Sequence, residues 1–291
     1  MPQTVGELVA LLNLEQIDVD LFRATPASTS LQRVFGGQVL AQALAAAYRT
    51  VQGDRAAHSL SAYFLRPGAT TSPLLYQVET TRDGRSFSSR RVVARQGGRP
   101  IFSMSSSFHI VEPGLDHSDP LPDGVPVPDA CPLLSEVLGA RSARASAAWE
   151  AEWGALEVRY AGDAGAPGAA AMRVWVRAEG RLPDDPITHQ LVIAYLSDLT
   201  LLGVSTVPHP VVFGSPSLQA ASINHSMWFH RPTRADQWLL YDQVSPSASG
   251  ALGFSFGRLF SQTALVGSCA QEGLIRMVDE VGENATTGRF R

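Results

Sequence analysis

Two stretches of the chain are apolar on nearly every face. The first opens at Gly36-Gly37-Gln38 and runs through Val39-Leu40-Ala41-Gln42-Ala43-Leu44-Ala45-Ala46-Ala47, which predicts a helix of about three turns between Arg33 and Tyr48. The second starts with Asp184-Asp185-Pro186, an N-cap followed by proline at the first helical position, and continues from His189 to Leu199. A helix with almost no polar face must be wrapped by other protein. The segments after each helix supply the wrapping: apolar and polar positions alternate there, as with Phe102 and Met104 against Ser103 and Ser105. Strands are predicted over 58–66, 74–80, 86–96 and 99–109, and again over 222–231, 237–244, 252–261 and 264–272, with further strand patterning at 155–160 and 172–178. Arg82-Asp83-Gly84 and Gly97-Gly98 read as hairpin turns. Val5, Leu8, Val9, Leu11 and Leu12 make one amphipathic helix at the N-terminus.

The pattern occurs twice in detail as well as in outline. Tyr63-Phe64-Leu65-Arg66-Pro67 is answered by Trp228-Phe229-His230-Arg231-Pro232, Leu74-Leu75-Tyr76 by Leu239-Leu240-Tyr241, and Ile101 by Val266, all at one spacing without a gap. A repeat this long is a duplicated domain, since solenoid units run to roughly 20–50 residues. The expected organisation is residues 1–111, a Pro-, Gly-, Asp- and Ala-rich linker at 112–150 with one short helix, and residues 151–291. Each copy is expected to be α+β, a curved antiparallel sheet around one buried helix. A duplicated fold with diverged surfaces suggests a site between the halves, or one kept in a single half.

Composition narrows the function classes. The 291 residues are 45% hydrophobic and 17% charged, as in an ordinary globular protein. A net charge of −4 leaves no electrostatic footprint for nucleic acid. Every basic residue is arginine, which reads as codon bias. Cys131 and Cys269 stand alone and fit no disulfide or metal framework, so no metal or cofactor is expected. Met1-Pro2-Gln3-Thr4 lacks the charged start of a signal peptide, no stretch approaches the ~20 apolar residues of a membrane span, and Arg289-Phe290-Arg291 is not a peroxisomal address. These readings make a cytoplasmic location the expectation.

Gly253-Phe254-Ser255-Phe256-Gly257 matches the nucleophile elbow of α/β-hydrolases, but no histidine follows His230 and strand alternation continues, so it reads as a strand. Asp198 is the sharper signal: it is the one charged residue in the middle of an apolar helix, where an unpaired carboxylate is costly. It either caps a backbone group or does chemistry. Aligning Gln38 with Gln190 puts Ala46 at the equivalent place in the first copy, and an acid in one copy only favours function. Alternation puts Ser222 and Asn224 on one strand face and His225 on the other, which argues against a Ser222–His225 pair. Gln271 falls at the end of the last strand. His58 and His189 are equally readable as hydrogen-bonded core histidines.

Taken together, these segments resemble the type II acyl-CoA thioesterases. The resemblance rests on Arg33-Val34-Phe35-Gly36-Gly37-Gln38-Val39, on His58-Ser59, on Tyr63 to Gly68 and on Arg82 to Val92. In the second half it rests on Ser197-Asp198-Leu199, on His225 to Pro232, on Trp238 to Tyr241 and on Gln271-Glu272-Gly273. It implies a double hot dog, two tandem hot-dog domains in one chain, hydrolysing fatty acyl-CoA to free acid and CoA. The family's catalytic set, carried over by motif, is Asp198, Ser222 and Gln271, with serine where threonine is commoner. Gly37, Gln38 and His58 are expected to line the substrate, and Arg85, Arg90 and Arg91 to meet the CoA phosphates. The resemblance also implies a homo-oligomer. A hot-dog hydratase would call for a histidine about five residues after the acid, where this chain has Gly203. A non-catalytic acyl-CoA sensor would carry an appended effector element, and none is visible.

Overall fold

The computed structural model describes residues 1–164 and 168–278. Arg289-Phe290-Arg291, read above for a targeting address, lies outside the described residues. The first half comprises α1 (Val5–Leu12), β1 (Glu15–Asp18), β2 (Leu21–Ala24), α2 (Gly36–Tyr48), β3 (Arg55–Phe64), β4 (Leu74–Asp83), β5 (Phe87–Gln96) and β6 (Arg99–Ile110). After α3 (Leu134–Arg141) and α4 (Ala143–Glu152), the second half comprises β7 (Leu156–Tyr160), β8 (Ala171–Ala178), α5 (Pro186–Ser197), β9 (Leu218–Phe229), β10 (Leu239–Ser249), β11 (Leu252–Phe260) and β12 (Leu265–Met277).

The twelve strands of the described residues join one antiparallel sheet in the order β1-β2-β4-β5-β6-β3-β9-β12-β11-β10-β8-β7. Read outward from the β3–β9 seam, the order is the same in both directions. The repeat is preserved at single-residue register: Leu60 faces Ser106 as His225 faces Gln271, and Val92 faces Met104 as Gly257 faces Cys269. Each half wraps its sheet around its helix, which is the double hot dog.

The two helices lie back to back and antiparallel. α2 is buried from Gly37 to Tyr48, and its alanine-rich surface lets α5 come close. At one end a Cβ on Gly37 would overlap the Tyr195 carbonyl oxygen, so only glycine fits. At the other, Tyr48 OH donates to Gln190 Oε1. Asp185 caps α5 as its sequence foretold, accepting from the N–H groups of Ile187 and Thr188 at 3.2 and 3.0 Å.

The structure corrects several boundaries. β1 and β2 were not foreseen; every β1 residue is exposed, so no alternation marks it. Two helices, not one, start in the expected linker, the second running past its end to Glu152, and a short 3-10 turn lies at Pro128–Ala130. β12 extends to Met277, which puts Gln271 in mid-strand. A continuous stretch, Pro186–Thr206, has the length and mean hydropathy of a membrane span, against the sequence reading. It is the buried core helix α5 running into a 3-10 turn at Leu202–Thr206, and the α-helical part is only about 18 Å long.

Candidate active site

α5 ends at Ser197, and Asp198 is its C-cap residue. The sequence placed Asp198 in mid-helix because the apolar run continues through Leu199, Leu201 and Leu202. The chain bends there instead, turning the carboxylate inward toward β9, β12 and the start of α2. Ser222 Oγ donates to Asp198 Oδ1 at 3.1 Å. Gln271 Nε2 donates to the same oxygen, and to Ser222 Oγ at 2.8 Å. The three residues carried over by motif therefore form one hydrogen-bonded cluster.

Strict alternation would have sent Ser222 and His225 to opposite faces. That reading is wrong here. β9 carries a β-bulge: Asn224 pairs with Glu272 and Ser222 with Gly273, leaving Ile223 as the extra residue. The bulge shifts the phase of the strand by one position. His225 consequently faces the same carboxylate, with Nδ1 4.0 Å from Asp198 Oδ1. Asn224 turns away and accepts the Glu272 N–H at 3.0 Å.

The start of α2 completes the surroundings. The Gly37 N–H favours the ionised Asp198 carboxyl, and a Cβ on Gly36 would overlap Asp198 Oδ2. The Gly36-Gly37 pair thus lets a helix N-terminus, with its unpaired N–H groups and partial positive charge, touch the acid. The site lies between the halves while its side chains come from the second.

Burial dominates the electrostatics. It pushes the Asp198 carboxyl up to about 6, against the donors Gln271, Ser222 and Gly37 N–H. Burial alone pulls the His225 imidazole down to about 4, so the ring is neutral at pH 7. Its Nε2 lies 2.9 Å from Ser197 Oγ. Tyr241 OH donates to the Ser197 carbonyl at 2.7 Å and contacts Cys269 Sγ at 2.9 Å. Sequence reasoning missed Ser197, His225 and Tyr241; the adjacency of Ser197 to Asp198 was the available signal.

The first half lacks this cluster. At the repeat positions of Ser222, His225 and Gln271 stand Ala57, Leu60 and Ser106, and the helix starts Gly36 and Pro186 align Tyr48, not the Ala46 expected from sequence, with Asp198. The bulge persists, with His58 as its extra residue, but Tyr48 fills the space and its hydroxyl accepts from Ala57 N–H at 2.7 Å. At the position of Ser255 stands Arg90, a fully buried arginine. Its guanidinium bonds Asp83 Oδ1 at 2.9 Å and the Thr50 hydroxyl and carbonyl oxygens, both at 2.9 Å. The Gly253–Gly257 segment is a strand, as read. A Cβ on Gly253 would strike Ser205, and one on Gly257 the Tyr241 ring.

The remaining candidates are scattered. Arg90 is committed to protein partners, which removes it as a phosphate ligand. Arg91 is exposed and 3.7 Å from Glu79, and Arg85 is exposed at the β4–β5 turn. His58 packs near Phe87 and His109. Its neighbour Ser59 pairs with Trp228, about 20 Å along β9 from Ser222. Gln38 faces a small cavity with Thr25, Val34 and Leu74. The exposed arginines that flank the start of α2 in the chain path are Arg33, just before it, and Arg66, two residues after the Phe64 ring that packs against Gly36.

Residues 144–274 match the family described as "Acyl-CoA thioesterase", and residues 25–109 match "Acyl-CoA thioesterase N-terminal domain". Human acyl-coenzyme A thioesterase 8 is 38% identical over 295 residues, covering 95% of this chain and 91% of the human one. The chain belongs to the acyl-CoA thioesterase family. Membership places it among the acyl-CoA thioester hydrolases, as the resemblance implied. The crystal structure of acyl-CoA thioesterase II TesB2 from Mycobacterium marinum superposes with a TM-score of 0.80 at 42% identity, covering 93% of this thioesterase and 98% of the other. A hot-dog protein from Alicyclobacillus acidocaldarius, 18% identical, shares the fold with a TM-score of 0.75 over 92% of this chain and 97% of its own.

Proposed function

We propose that this thioesterase hydrolyses fatty acyl-CoA with a water that Asp198 deprotonates while Ser222 and Gln271 hold it. The supporting observation is the convergence on Asp198 Oδ1. A hydroxyl and an amide meet a buried carboxyl whose basicity has been raised to about 6. A general base with a pKa near the working pH is the effective one. Gln271 Oε1 is buried without a protein partner and is a ready acceptor for a water hydrogen. A thioester is already activated, so a positioned water and a stabilised oxyanion suffice. Hydroxide adds to the carbonyl carbon and the oxyanion is met by N–H groups of the first turn of α2. The C–S bond then breaks, and the CoA thiolate takes the proton that Asp198 holds. Arg33 and Arg66 take the CoA phosphates in this reading.

The same reading divides the chain at 1–111, 112–150 and 151–291. It makes the protein a cytoplasmic homo-oligomer that buries Tyr63, Trp228, Phe254 and Phe256, which are more than a third exposed on one chain. The test is thiol release from short- to long-chain acyl-CoAs by wild type and Asp198→Asn. Release by wild type alone carries the proposal, and a variant with near wild-type kcat overturns it.

A further inference from the structure

Ser197 carries one hydroxyl proton and has two partners within reach. The Ala194 carbonyl oxygen lies 2.9 Å from Ser197 Oγ, and His225 Nε2 also lies 2.9 Å from it. A carbonyl can only accept, so the hydroxyl donates to Ala194 and accepts from His225. The opposite assignment would set two oxygen lone pairs 2.9 Å apart with no hydrogen between them. The imidazole is therefore protonated on Nε2, and Nδ1 carries a bare lone pair. That atom is buried and has no hydrogen-bond partner. It faces Asp198 Oδ1 at 4.0 Å.

Two acceptors facing each other without solvent are costly, and the cost falls on one protonation state of Asp198. When the carboxyl is ionised, the negative end of the imidazole dipole opposes it. Once Asp198 has taken a proton, the opposition ends. Relief of an opposition that exists only before proton transfer favours the step that relieves it.

We propose that His225, held in its Nε2–H tautomer by Ser197, is a positioning residue that sets the basicity of Asp198. This rests on Asp198 being the general base. His225 touches no reacting atom and acts wholly through the carboxyl. The first half agrees: Tyr48 stands where α5 ends in the acid, and Leu60 stands at the repeat position of the histidine.

Among the described residues, no other group facing Asp198 titrates near neutrality. From β9 come Ser222 and His225, from β10 Tyr241, from β12 Gln271 and Cys269, and from α2 the Gly37 N–H. Burial pushes Cys269 up to about 12, and Tyr241 lies well above the usual phenol range. The acid limb of the activity profile therefore reports Asp198.

The experiment is kcat/KM against pH, from 4.5 to 8.5, for wild type, Asp198→Asn, His225→Phe, His225→Gln and Ser197→Ala on one acyl-CoA. In His225→Phe the acid limb should move down by about one pH unit, with kcat falling at least tenfold and KM unchanged. His225→Gln keeps an N–H for Ser197 and turns a carbonyl toward Asp198, so its limb should return toward wild type. Ser197→Ala frees the tautomer and should move the limb in the same direction as His225→Phe. It remains informative if the aromatic replacement fails to fold. An acid limb that stays in place in every folded His225 and Ser197 variant overturns the proposal. Full activity in Asp198→Asn overturns the general-base reading instead.

Discussion

Ser222 and His225 lie three residues apart on one strand and point at the same carboxylate oxygen, Ser222 Oγ at 3.1 Å and His225 Nδ1 at 4.0 Å from Asp198 Oδ1. An unbroken strand cannot do this, because residues an odd number apart face opposite ways. The extra residue Ile223 makes it possible, and the duplicated half keeps the same bulge at His58. The bulge belongs to the fold, and the Asp198 cluster stands on it in one copy.

Within the cluster the Ser222 hydroxyl should matter more than the size of its side chain. Ser222→Ala is expected to lower kcat about ten- to a hundredfold with little change in KM, whereas Ser222→Thr, which keeps the hydroxyl, should stay within a few fold of wild type. Steady-state kinetics of the two variants side by side checks this.

The raised Asp198 carboxyl carries a stability cost with a definite pH window. Folding lifts it from 3.8 to about 6, so the folded state holds the proton more tightly than the unfolded chain. Ionisation therefore opposes folding, with an effect that grows from pH 4 to 6 and is constant above. Asp198→Asn should be more stable than wild type by roughly 2–3 kcal/mol at pH 7.5. The gain should vanish near pH 4. Denaturant unfolding of both proteins at the two pH values measures it.

Glycine at position 37 is required by contact, since any Cβ there meets the Tyr195 carbonyl oxygen. Gly37→Ala should push α2 away from α5 and withdraw its first N–H groups from Asp198. A loss of at least a hundredfold in kcat is expected, with Tm lowered by several degrees. Activity and thermal melts of this variant test whether helix contact and catalysis fall together.

Arg90 distinguishes a structural role from a binding one. Its guanidinium closes the end of α2 through Thr50 and pairs with Asp83. Arg90→Met should cost about 2–4 kcal/mol in stability and leave KM for acyl-CoA unchanged. Urea titration and substrate saturation together decide it.

Arg33 and Arg66 carry the opposite expectation. Arg33→Ala and Arg66→Ala should each raise KM for acyl-CoA about tenfold with kcat preserved. The effect should shrink at high salt, where exposed charge pairs are screened. Saturation curves at two ionic strengths provide the check.

The sequence by itself determined the architecture. Apolar positions around α2 and α5 demand enclosure, alternation in the strands supplies it, and the 165-residue spacing that joins Ser61 to Ser226 duplicates the result. Those two hydroxyls meet at 3.0 Å across the β3–β9 seam, so a spacing read along the chain becomes a contact at the centre of the molecule. Asp198 was also legible, because an acid in an apolar run must be compensated. What surrounds it was decided by tertiary structure. A bulge is set by how neighbouring strands close a curved sheet, which single-strand alternation cannot report, so the place of His225 was hidden. Arg90 and Arg91 are adjacent on β5, so alternation already sends them to opposite faces; that Thr50 and Asp83 wait inside to hold the Arg90 guanidinium was decided by packing. The approach of the Gly36-Gly37 helix start to Asp198 likewise depends on two helices from different halves packing antiparallel. Sequence pattern encodes what each segment must bury; long-range packing chooses which side chains meet where it is buried.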